Sequence, residues 1–234
     1  CRVYQVIPVS ITVEGANILT RTMMIFGQGA IRCHPYIQTE MAAIAANDLA
    51  LFDRTFFRHI GHWGRNKVAA FWLGLTNAIF VTAPGNAVTK RYYRQIARFS
   101  AAFALLADYG LLTLGGAVKR KERLSGRYAD ALSNLYLCSC VLKHFHNQGS
   151  LKEDEALLHW ACRETLFQTQ EALSDILAKL PFRPITLTLH GLIFPFGKRL
   201  KPANDRLSSQ VAELITADSP TRNRLTQGIY INNN

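Results

Sequence analysis

Charged residues are few, 18% against 49% hydrophobic, and acids are the scarcer kind: 16 Asp and Glu face 27 Lys and Arg. That much apolar surface argues against a disordered chain and points to buried helices or a hydrophobic partner surface. The five cysteines, at positions 1, 33, 138, 140 and 162, are odd in number, so no disulfide scheme pairs them all, and their spacing fits no zinc module. Cys138 and Cys140 are expected to be reduced core thiols, although helical geometry points them to different faces. The longest charge-free run, Val68 to Thr89, holds Asn77, Pro84, Gly85 and Asn86, and Phe99 to Val118 carries Asp108 in its middle. Neither supplies the roughly 20 apolar residues of a spanning helix, so no transmembrane segment is expected. No leader follows Cys1, so no targeting signal is expected. Walker loops, paired Cys-x-x-Cys sites and HExxH are absent, as are internal repeats.

Strand signals are as sparse as acids. Val6 to Val13 is β-branched but interrupted by Pro8, which demotes it to an extended lead-in. From Asn17, a good N-cap, Leu19, Met23, Phe26 and Ala30 recur at helical steps until Pro35 stops them. "GQGAI" around Gly27 and Gly29 lies inside that pattern and not after a strand, so close helix packing explains the glycines better than a dinucleotide fingerprint. Further helices are expected over Tyr36 to Ala46, from Asn47 or Asp48 with breaks at Gly61 and Gly64, from Thr89 to Gly115-Gly116, from Lys119 to Gly149, and from Lys152 to Lys179. Two or three shorter ones fill the rest. The predicted class is all-α, a multi-helix bundle of long antiparallel helices with short terminal helices.

Positive charge is concentrated in residues 50–130, which hold thirteen basic and four acidic groups. An anionic partner is therefore expected there: membrane lipid, a phosphate-bearing cofactor or nucleic acid. "VKRKERLSGR" has no interleaved aromatics and reads as a solvated helix face, so nucleic acid is not expected. "RTFFRHIGHWGRNKVAAFW" mixes Arg54, Arg58, Arg65 and Lys67 with Phe56, Phe57, Trp63 and Trp72, the pattern of a peripheral helix on an anionic bilayer. His59 and His62, three apart, have no carboxylate or cysteine pattern beside them, so surface or capping roles are expected and no metal. His144 and His146 face different ways. Glu14, ahead of the first helix, is on residue grounds either a helix-start acid favoured by the dipole or a base.

"ITVEGANILTRTMMIFGQGAIRCHPY" resembles the catalytic-glutamate segment of the acyl-coenzyme A dehydrogenases, most closely the large bacterial fatty-acid β-oxidation type. "HIGHWGRNKVAAFWLGLT", "TKRYYRQIARFSAAFALLADYGLLTLGGAVKRKERLSGRYADALSNLYLCSCVLK" and "IFPFGKRLKPANDRLSSQVAEL" resemble that subgroup's C-terminal extension. The resemblance implies oxidation of fatty acyl-CoA to trans-2-enoyl-CoA with FAD, and an electron-transferring flavoprotein as acceptor. It places Glu14 as the base taking the α proton, Gly15 beside the thioester, and Ala16, Asn17 and Ile18 at FAD. Ala16 stands where the family usually has Thr or Ser. Residues 1–47 would end the helical catalytic domain and 48–234 form an all-α extension. The chain is then expected to be a C-terminal portion, inactive and without tightly bound FAD by itself. The setting implied is a homo-oligomer in the bacterial cytoplasm or peripheral on the inner membrane. The alternative is a helical membrane-docking or subunit-contact module without catalysis.

Overall fold

The computed structural model describes residues 20–229 together with Gln5 and Ile7. A π-helical stretch, π1 (Thr20–Gln28), runs into α1 (Gly29–Cys33) and is followed by α2 (Ile37–Ala45), α3 (Leu49–Leu75) and α4 (Ala87–Leu114). A 3-10 turn (Gly115–Arg120) leads to α5 (Glu122–Asn147), a second (Lys152–Asp154) to α6 (Glu155–Lys179), and α7 (Arg183–Ile193), α8 (Asp205–Thr216) and α9 (Pro220–Leu225) complete the chain. No strand occurs among the described residues.

Capping residues set the starts of several helices. Asp48 accepts from the Leu51 amide at 2.9 Å, and Asn86 and Thr89 form a reciprocal capping box at the start of α4. Asn204 caps α8, and Ser219 followed by Pro220 opens α9. Gly115 ends α4 at φ +49°, a conformation that costs a side chain dearly.

The long helices α3 to α6 are joined by short connections and pack as antiparallel neighbours, with α5 on α6 the most extensive pair. α4 lies at the centre, touching α3, α5 and α6. With its following 3-10 turn it is long and apolar enough to cross a membrane. Its apolar side is nevertheless the middle of the core, since Phe99, Leu105 and Leu106 have no exposure. π1 lies on α5, where Phe26 stacks on Tyr128 with ring centroids 4.1 Å apart and planes 3° from parallel. Tyr128 donates to the Leu106 carbonyl at 2.7 Å, tying α5 to α4. At Gly110 a Cβ would lie 2.5 Å from the Tyr128 hydroxyl, so these helices approach closely only because that side chain is absent.

Three local expectations are corrected. Gly61 and Gly64 do not interrupt α3: twenty-seven residues stay helical because packing on α4 outweighs a propensity cost of about 1 kcal/mol per glycine. Cys140 is exposed, whereas Cys138, two residues earlier, is buried against Cys162 of α6. The hydrogen bond with Cys138 and burial hold the Cys162 thiol protonated. His59 and His62 do not lie on an open surface: they face the junction with α4.

Candidate functional site

Pro35 stops α1 and leaves His34 in extended backbone, where its ring turns back to cap the next helix. His34 Nδ1 accepts from the amides of Tyr36 and Ile37 at 3.3 and 3.2 Å. A nitrogen that accepts twice carries no proton in the neutral ring, so the proton sits on Nε2. Nε2 donates to Asp108 Oδ1 at 2.8 Å. Asp108 lies inside α4 and is 6% exposed; its other oxygen accepts from Asn66 of α3 at 3.4 Å. Asn66 also meets His62 Nε2 at 2.9 Å.

Beside this chain of contacts, His59 donates from Nδ1 to Glu40 of α2 at 2.8 Å. Its ring packs against those of Tyr36 and His34, at centroid distances of 5.6 and 4.6 Å. Burial pushes His62 below the usual imidazole range, against the pull of Asp108. The two carboxylates are thus held by imidazoles and an amide. Among the described residues neither forms an ion pair with Lys or Arg.

Ligating atoms of His34, His59 and Asp108 lie within 4.8 Å of one another, close enough for a shared metal ion. The tautomer argues against that use. For His34 to ligate through Nε2, its proton would have to move to Nδ1, which two backbone N–H groups already face. Only His59 Nε2 and one oxygen of Asp108 would remain, fewer protein ligands than tetrahedral zinc sites take. The constellation is a hydrogen-bonded, proton-holding network.

The network forms one wall of a cavity of about 830 Å³ between α1, α2, α3 and the end of α4. Apolar side chains, among them Ile37, Met41, Phe56, Ile60, Leu111 and Val118, make most of its lining, and Glu40, His59 and Asp108 are its ionisable groups. Among the described residues the lining contains no Ser, Thr, Cys, Lys or Arg. Trp63 also lines it, with a buried indole N–H that has no acceptor among the described residues. A large apolar cavity with a few convergent polar groups suits a hydrophobic ligand.

Sequence spacing reached His59 and His62 but missed His34, Glu40 and Asp108. They come from the turn before α2, from α2 and from α4, and no short motif joins them. The one signal available was the acid inside the otherwise apolar stretch Phe99 to Val118. Glu14, Gly15, Ala16, Asn17 and Ile18 lie outside the described residues.

No solved structure matches the chain. Residues 31–234 match the family described as acyl-CoA dehydrogenase, C-terminal, bacterial type. That match begins at α1, takes in the histidine and carboxylate network and its cavity, and continues through all of the following helices. The all-helical chain therefore belongs to the bacterial-type acyl-CoA dehydrogenase C-terminal family.

Proposed function

We propose that this chain serves FAD-dependent α,β-dehydrogenation of fatty acyl-CoA, with Glu14 as the base that removes the α proton. The observation that carries the reading is the position of the segment "ITVEGANILTR", directly ahead of a region that belongs to the family. An ordinary carboxylate is too weak a base for an α proton. Desolvation on substrate binding raises its pKa, and a backbone N–H donated to the thioester oxygen acidifies the α carbon. Gly15 leaves room for the thioester. The apolar cavity supports the lipid side of the reading.

The described lining of the large cavity does not fit FAD. The large cavity carries Glu40 and Asp108 and no cation, so it would repel the cofactor's diphosphate. Contacts to the flavin are assigned to Ala16, Asn17 and Ile18, and electrons pass to an electron-transferring flavoprotein. Glu14→Gln in the flavin-loaded enzyme should abolish enoyl-CoA formation at unchanged FAD content. Retained dehydrogenation with a full complement of flavin would sink the base assignment.

A second reading, peripheral contact with an anionic membrane, rests on α3. Besides its buried seam, this helix exposes Phe57, Val68 and Trp72 at 68%, 68% and 52%. Arg54, Arg58 and Arg65, at helical repeats of four and seven, border that apolar stripe and are exposed. Sedimentation with vesicles containing anionic lipid tests it, and absence of binding at low salt rejects it.

A further inference from the structure

Positive charge also accumulates in a second, smaller cleft, where α4 and α6 meet the segment after α7. About 420 Å³ in volume, it is lined by Arg91, Arg163, Arg199 and Lys201 among the polar and apolar residues Asn77, Tyr92, Gln95 and Leu166. Among the described residues, none of these four cations forms an ion pair. Of the acids of α6, Glu171 pairs with Lys198 at 2.6 Å, Glu164 accepts from the Ala203 amide at 3.4 Å, and Glu155 acts on His159, which contacts Arg91.

A fifth cation stands behind the wall. Arg98 of α4 is 5% exposed, yet among the described residues it has no carboxylate partner. Its guanidinium donates to Asn77 Oδ1 at 3.3 Å, to Gln95 Oε1 at 3.4 Å and to the Ile193 carbonyl at 3.4 Å. Its Nε–H is buried with no acceptor among the described residues. Two of the three acceptors are themselves cleft-lining residues. Burial and then the charge of Arg199 disfavour the protonated form of Arg98. Guanidinium groups do not ordinarily lose their proton, so the imbalance persists as a positive potential.

The positions are held from below. Gln170, 1% exposed in α6, accepts from the amides of Arg199 and Leu200, both at 3.0 Å, and donates to the Leu200 carbonyl at 3.2 Å. The Arg199 guanidinium rests on the Phe196 ring at 4.5 Å. Arg91 lies over Tyr92 at 4.6 Å and donates to its hydroxyl. Hydrogen bonds and ring faces orient these cations, while Arg163 and Lys201 make no side-chain hydrogen bond among the described residues.

We infer that this cleft binds a phosphate-bearing anion, with Arg163, Arg199 and Lys201 as its direct ligands and Arg98 supplying buried positive charge behind them. Several unpaired cations around a concave opening match a dianionic or trianionic phosphate better than a single carboxylate. The volume suits a phosphate ester or diphosphate and is too small to enclose a dinucleotide. The group could belong to a soluble phosphorylated molecule or to a lipid headgroup.

Calorimetric titration of the chain with inorganic pyrophosphate at low salt tests the site. Saturable one-to-one binding is expected, weakened at least tenfold in Arg163→Gln and in the double variant Arg199→Ala, Lys201→Ala. The pair Lys179→Ala, Arg183→Ala, outside the cleft, should bind like wild type. In a parallel arm, vesicles of neutral lipid with phosphatidic acid are sedimented with the same proteins. Retention that the cleft variants abolish identifies a headgroup, and pyrophosphate binding without such retention identifies a soluble ligand. Circular dichroism checks that each variant is folded. No saturable binding in either arm, or binding equal in folded cleft variants and wild type, would overturn the assignment.

Discussion

Replacing Phe26 with alanine removes the side chain that fastens π1 to the bundle. Phe26 is 1% exposed, stacked on Tyr128 and edge-on to Phe103 at 6.2 Å. Burial of a ring of this size removes roughly 150–250 Å² from water, which at about 25 cal/mol per Å² amounts to about 4–6 kcal/mol as an upper bound. Partial collapse of the cavity lowers the expected loss to about 3–5 kcal/mol. With a urea slope of about 2 kcal/mol per molar, the unfolding midpoint should fall by roughly 2 M. Phe26→Leu, which keeps most of the volume, should cost less than about 1.5 kcal/mol. Should π1 detach before the bundle unfolds, hydrogen exchange will show residues 20–33 losing protection while α5 and α6 keep theirs. A loss below about 1 kcal/mol by denaturation, with exchange in residues 20–33 unchanged, would refute the view that this ring pair anchors π1.

Opposite signs are expected for glycine replacements on two helices. Gly110→Ala drives a methyl against the buried Tyr128 hydroxyl and should destabilise by about 1–2 kcal/mol, whereas at Gly61 a Cβ meets nothing within 4 Å and alanine should stabilise by about 0.5–1 kcal/mol. Thermal denaturation of the two variants checks the pair. Gln170→Leu leaves two amides and a carbonyl of the Arg199–Leu200 segment without partners and should cost about 2–5 kcal/mol, with raised hydrogen exchange confined at first to residues 198–202. Burial holds His62 and His159 below the ordinary imidazole value of 6.5, so in weak acid the unfolded chain binds protons that the folded one refuses. Their contribution to stability is therefore complete above about pH 6.5 and is lost as pH falls through the depressed values. Urea titrations between pH 7 and 5 should show that slope, reduced in His159→Gln; an unchanged slope would contradict the assignment.

Much of the fold was legible because helical signals are local. The cap at Asp48 and the stops at Pro35, Gly115 and Gly149 act within a turn or two of themselves. Gly61 and Gly64 misled for the same reason: propensity is local, while the packing on α4 that overrides it is not. His59 and His62 showed no carboxylate in their own neighbourhood, because Glu40 and Asp108 approach from other helices. Neighbourhood in sequence likewise placed Cys140 in the core with Cys138, although residues two apart on a helix face different ways.

Sequence by itself determined the helical class, most helix boundaries and the kinship with the bacterial acyl-CoA dehydrogenases, since periodicity, caps and motif identity are all written along the chain. It also placed the excess positive charge between residues 50 and 130. Only the tertiary structure decided which of those charges are unpaired. Arg91 and Arg98 of α4 meet Arg163 of α6 and Arg199 beyond α7, residues separated by up to 108 positions, and among the described residues none of them pairs with a carboxylate. Charge acts through space and desolvation depends on what surrounds a group, so neither the buried Asp108 network nor the cationic cleft could be read before the helices were packed.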